Sequence, residues 1–142
     1  MKVESYLMFE GRCEEALDFY RTALGAKVGM LMRFKDNPEP AAGQGCAEGS
    51  GPGPKPEMVM HAEFTVGQTT LMASDGMGSG TTSFQGISLA LSPADEAEAK
   101  RLFDALADGG QMQMPLTTTF YSKAFGMVAD RFGVPWMVVA PE

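Results

Sequence analysis

The chain has 142 residues and a formal charge of −7 at pH 7, with 11 Lys and Arg against 18 Asp and Glu. That length suits one ordinary domain. The acidic balance argues against nucleic acid or an anionic membrane surface as partner, since both need clustered cations.

The opening residues, MKVESYLMFEG, interrupt their apolar stretch with Glu4 and Ser5, so they lack the unbroken apolar core of a secretory signal and a cytoplasmic location is expected. Val3 to Phe9 reads as a strand ending at Gly11. CEEALDFYRTALG then places Cys13, Leu17, Tyr20 and Leu24 at helical spacing, with acids in the first turn and Gly25 as terminator. AKVGMLMRF reads as the next strand. The segment near 36–57 is too rich in Gly and Pro for helix or central strand, and is expected to be a long loop, either a lid or disordered. Cys13 and Cys46 show neither CxxC nor metal-type spacing and are read as unpaired thiols, Cys13 in a helix face and Cys46 in that loop.

EMVMHAEFTVGQTTLMASD reads as a hairpin turning at Gly67 and Gln68. GMGSG after it is too short for a phosphate cradle and is read as a flexible connector. GISLALS begins again with a strand. A helix follows with Ser92 as N-cap, Pro93 at its first position, a buried stripe of Ala99, Leu102, Phe103 and Leu106, and Gly109 and Gly110 as its stop. QMQMPL, GMVAD and PWMVVA complete the strands. Strand, helix and three strands therefore occur twice, offset by roughly 83 residues, which predicts a single domain over 1–142 built from modules 1–75 and 84–142.

Three stretches, YLMFEGRCEEALDFYRTALGAKV, MHAEFTVGQTTLMASD and FYSKAFGMVADRFGVPWMVV, resemble the PhnB-like family of the vicinal oxygen chelate superfamily, which includes glyoxalase I, extradiol dioxygenases and bleomycin and fosfomycin resistance proteins. The resemblance covers Tyr6 to Val139. It implies an α+β glyoxalase/bleomycin resistance fold, with two βαβββ modules forming a U-shaped mixed sheet around a cavity, and usually a homodimer. PhnB-like proteins also carry a ubiquinone-pathway methyltransferase label. The sequence offers no glycine-rich turn between a first strand and a helix to hold that cofactor.

Superfamily enzymes hold a divalent ion with one His, Gln or Glu from each of four strands. The resemblance puts those places at Ser5, Met72, Ser88 and Met137, whose hydroxyls and thioethers are poor ligands for a hard divalent cation. No cofactor or metal is therefore expected, with a zinc-like ion kept as an alternative. Alternation along the strand after Val59 sets Met60, Ala62, Phe64 and Val66 toward the helices and His61, Glu63 and Thr65 on the other face. The same reasoning pairs Ser5 with Leu7, Thr70 with Met72 and Ser74, Ser88 with Ala90, and Met137 with Val139 on that face, opposite Tyr6, Met8 and Trp136.

His61 and Glu63 are the candidate catalytic pair, with Ser5, Thr70, Met72, Ser74, Ser88 and Met137 lining a cavity and Phe120 and Tyr121 as its aromatic wall. Plain alternatives stand beside these: His61 as a structural histidine and the aromatic pair as core. Asp75 and Asp130 are read as turn-fixing groups that bond backbone amides. Three functions stay open. One is binding of a small molecule without the metal quartet; another is a lyase or other enzyme on a small oxygen-rich substrate, with His61 as base or a non-standard metal site; the third is an interaction module.

Overall fold

The computed structural model describes residues 1–36 and 55–142, so Cys46 and most of the Gly/Pro-rich segment lie outside the described residues. Two compact units make up the chain, Met1–Thr82 and Ser83–Glu142. Each contains one four-stranded mixed sheet and one long helix, an α+β arrangement.

In the first unit, β1 (Tyr6–Met8) leads into α1 (Cys13–Leu24), followed by β2 (Lys27–Arg33), a short 3-10 turn, β3 (Val59–Val66) and β4 (Thr69–Ser74). α1 forms where Glu14 and Glu15 occupy the positive N-terminal end and Cys13, Ala16, Leu17, Tyr20 and Ala23 give one buried stripe. Gly25, at φ 68°, closes it by returning its amide to the Tyr20 carbonyl. β1 lies parallel to β4, while β4, β3 and β2 run antiparallel, giving the order β1-β4-β3-β2. Tyr20 stacks on Phe64 at 5.9 Å and 12°, so α1 covers the Ala62 and Phe64 face of β3.

The second unit repeats this plan. β5 (Leu89–Leu91), α2 (Glu96–Ala107), β6 (Gln111–Thr117), β7 (Phe125–Ala129) and β8 (Pro135–Val139) form a sheet in the order β5-β8-β7-β6, with β5 parallel to β8. Ala99, Leu102, Phe103 and Leu106 are the buried stripe of α2, as their spacing predicts. Gly126 is required beneath it: a Cβ there would lie 2.7 Å from the Phe103 ring and 3.0 Å from Leu116.

Two sequence expectations are corrected. α2 begins at Glu96 with Asp95 as N-cap, not at Pro93 with Ser92, because the Asp95 carboxylate accepts the Glu98 amide at 2.8 Å. Asp95 and Glu98 stand three apart, as in a capping box, and that local signal outranks the Ser-Pro pair. The first strand is Tyr6–Met8, shorter than Val3–Phe9, and its faces are the reverse of those expected. Leu7 and Phe9 are buried, whereas Tyr6 and Met8 are exposed. Three residues are too few for alternation to settle a face when both contain apolar side chains.

Candidate functional site

Register turns these strands into rows of side chains. On the face of the first sheet opposite α1, Tyr6 pairs with Met72, Met72 with Glu63, and Glu63 with Met30. Beside that row, Met8 pairs with Ser74 and His61 with Met32. The covered face carries the matching row Leu7, Ala73, Ala62 and Leu31. Period-two alternation thus sets four thioethers around one phenol, one imidazole and one carboxylate.

Within this group the polar contacts are direct. The Tyr6 hydroxyl lies 3.0 Å from His61 Nδ1, and His61 Nε2 lies 3.3 Å from Glu63 Oε2. The Tyr6 and His61 ring centroids are 5.5 Å apart at 32°. The His61 side chain is 25% exposed and that of Glu63 43%, so both groups reach solvent on this face. A carboxylate on one imidazole nitrogen and a phenol on the other form a hydrogen-bonded chain able to orient a ligand or pass a proton.

Thr70, Met72 and Ser74 share the face of His61 and Glu63 by alternation in β4; Ser74 is buried and its Oγ accepts the Gly76 amide at 3.0 Å. Ser5 does not join them. It precedes β1, shares the parity of buried Leu7, and bonds the Met72 amide through its carbonyl. Tyr6 takes its place, a residue that sequence reasoning assigned to the opposite side. The tyrosine's own amphipathic character was the available signal, since a phenol placed under a helix would need a buried partner.

The remaining candidates belong to the second unit. Ser88 is exposed just before β5, and Met137 lies in the open row Ala90, Met137, Met127, Met114. Trp136 faces α2, with its Nε1 donating to Asp130 at 2.9 Å. Phe120 is 94% exposed and Tyr121 43%, so neither is core. Phe120 packs edge-on against Tyr121 at 4.9 Å, and Tyr121 edge-on against Phe125 at 5.7 Å. An open depression of about 230 Å³ is lined by Glu96, Lys100, Leu116, Thr117, Thr118, Lys123 and Ala124, none of them a residue singled out from sequence. Its volume falls below the ~300 Å³ lower end of small-molecule sites.

Asp75 and Asp130 do fix backbone. Asp75 accepts the amides of Cys13 and Val59, and Asp130 those of Phe132 and Val134. The GMGSG segment is held rather than free. Its Met77 and Ser79 amides and the Ser79 hydroxyl all donate to the Glu10 carboxylate, at 3.2, 3.2 and 2.7 Å.

The metal places of the superfamily fit poorly with the residues present. Met72 and Met137 offer thioethers, Ser5 and Ser88 lie outside the strands, and among the described residues no three of His, Cys, Asp and Glu are grouped as ligands. A methyl donor held in the doubly wound manner fits no better. Each sheet has a single parallel pair, and the turn from β1 into α1 contains one glycine, Gly11, while 92–95 before α2 contains none.

The fold is the one seen in glyoxalase/bleomycin resistance protein/dioxygenase domains: the domain from Frankia sp. EAN1pec aligns with a TM-score of 0.59 at 14% identity over 100% of this chain and 93% of that one. The chain belongs to the family described as 3-demethylubiquinone-9 3-methyltransferase, whose model matches residues 1–139. Protein YjdN of Escherichia coli K12 is 37% identical over 140 residues, 97% of this chain and 94% of YjdN. Protein PA1353 from Pseudomonas aeruginosa is 39% identical with a TM-score of 0.80, covering 99% of this chain and 98% of that one. The PhnB protein from Bacillus cereus is 30% identical with a TM-score of 0.75, covering 99% of both chains.

Proposed function

We propose that this protein binds a small organic molecule on the open face of its first sheet, at Tyr6, His61 and Glu63, without the superfamily's metal quartet. The observation that carries this reading is the Tyr6–His61–Glu63 chain, solvent-accessible and set among Met8, Met30, Met32 and Met72. Methionine suits such a wall because a flexible, polarizable thioether adapts to apolar shapes. A few placed polar groups in an apolar surround is the usual composition of a small-molecule site. The test is a thermal-shift and NMR screen of phosphonates, antibiotics and α-keto metabolites. A hit should shift resonances of Tyr6, His61 and Glu63 and weaken at least tenfold in His61→Ala; hits that leave these resonances unmoved would refute the reading.

A second reading is an enzyme with His61 as general base. The Glu63 carboxylate favours it, because an acid on one imidazole nitrogen orients a base for work at the other, which here reaches a substrate through the Tyr6 hydroxyl bonded to Nδ1. Turnover of a screening hit that disappears in His61→Gln would support it, and turnover lost to EDTA would instead support a non-standard metal site. We also read the protein as a cytoplasmic homodimer. Exposed Met112, Met114 and Phe120 in the second unit support self-association, which sedimentation of wild type against Phe120→Ser would test.

A further inference from the structure

The direction of the hydrogen bonds at His61 limits what the site can accept. An ionised carboxylate has no proton to give, so with the imidazole neutral Glu63 can only accept, and Nε2 is the nitrogen that carries hydrogen. Nδ1 is then a bare lone pair. It must accept from the Tyr6 hydroxyl, 3.0 Å away, which commits the one proton of that phenol inward. What Tyr6 shows to the open face is therefore a pair of acceptor lone pairs, on a residue 40% exposed.

We infer that Tyr6 is the ligand-contacting and specificity-determining group of this site, and that it selects ligands bringing a hydrogen-bond donor, in particular a hydroxyl on an apolar ring. The inference rests on the proposed small-molecule function and names its ligand class. Three further facts of the face favour a ring hydroxyl. Met72 is the direct register partner of Tyr6, Met8 follows Tyr6 by two on the same face, and Met30 and Met32 flank Glu63 and His61. Thioethers contact aromatic edges favourably, so a ring lying on them would aim its hydroxyl at the Tyr6 oxygen. A carbonyl, ether or anion meets only lone pairs there. The acceptor character belongs to the chain as a whole: Glu63 sets the ring's tautomer, the tautomer sets the phenol's proton, and the phenol's proton sets the ligand.

The test uses phenol and anisole as probes at pH 8, above the ordinary imidazole range. The two differ by replacement of the donor hydrogen with a methyl group. Wild type should bind phenol about tenfold more tightly, the size of one net hydrogen bond, and Tyr6→Phe should abolish the difference. A ligand-free readout comes from the ring itself, because His61 is the only histidine. Long-range ¹H–¹⁵N spectra should show the Nε2–H tautomer, and Glu63→Gln should shift the population toward Nδ1–H. An Nδ1–H ring in wild type, equal affinity for the two probes, or a phenol preference that survives in Tyr6→Phe would each overturn the inference. Those results leave the proposed function standing wherever either probe perturbs Tyr6 and His61 resonances. Failure of both probes to bind overturns the ring-hydroxyl class, and the proposed function then stands or falls on the wider screen.

Discussion

The Asp75 carboxylate receives the Val59 amide at 2.6 Å, and Val59 begins the strand that carries His61 two residues later. Its second oxygen takes the Cys13 amide at 2.8 Å, at the first residue of α1. One buried side chain thus fixes the start of the site strand and the start of the helix behind it.

Asp75→Ala leaves two buried amides without acceptors. Hydrogen bonds to a charged group contribute ~1.5–3 kcal/mol each, so a loss of about 3 kcal/mol is expected, with a smaller loss in Asp75→Asn, which keeps one acceptor oxygen. Urea unfolding measures both. A change below about 1 kcal/mol in Asp75→Ala would show that these contacts are dispensable.

Burial pushes the Cys13 thiol up to about 12, aided by the negative charges of Asp75 and Glu14. The neutral form is favoured in the folded state, so its contribution to stability is complete below the ordinary thiol pKa near 9 and is lost as pH rises toward 12. Stability should fall through that alkaline window more steeply than in Cys13→Ala. In a Cys46→Ser background, Cys13 should resist a thiol reagent at pH 8 until the chain is unfolded by denaturant.

Glu10 stands at φ 51°, in the left-handed region that is unusual for a side chain other than glycine, while its carboxylate gathers the 77–79 backbone. Glu10→Gln weakens those bonds by removing the charge. Amide exchange at Met77 and Ser79 should accelerate by roughly tenfold, with that of β3 unchanged. Equal exchange in both proteins would mean that the connector holds its own shape.

Glu14 is held below the usual carboxylate range by its hydrogen bonds to Arg33, at 2.8 and 3.1 Å. The pair is largely exposed, so its contribution is small: present above the ordinary glutamate pKa and lost as pH falls through the lowered one. In urea unfolding Arg33→Gln should cost little at pH 7, and the share of that cost owed to Glu14 should fade as pH falls below the ordinary glutamate range, leaving the share owed to the Glu57 carbonyl.

Gly126→Ala puts a methyl group against Phe103 and Leu116, where no space exists. Overpacking of this kind costs about 1–3 kcal/mol. Thermal unfolding should show it, and Phe103→Leu in the same chain should recover part of the loss.

Elements with long periodic patterns were readable from the residues alone. α1 ends at the predicted Gly25, the stripe of α2 is the one its spacing indicates, and the hairpin of β3 and β4 turns at Gly67 and Gln68. His61 could be set on the face away from α1 because Ala62 and Phe64, both buried, alternate with it and with Glu63 along the middle of the strand. The chain order strand, helix, three strands, found twice, followed from the same periodicities. β1 was different: over Tyr6–Met8 both phases place apolar atoms on both faces, and its register against Met72 and Ser74, a contact distant in sequence, chose between them. That choice moved Tyr6 next to His61 and Ser5 away from it. Which side chains meet across strands depends on pairing between segments far apart in the chain, and no local pattern encodes a hydrogen bond spanning fifty-five positions, as the one from Tyr6 to His61 does.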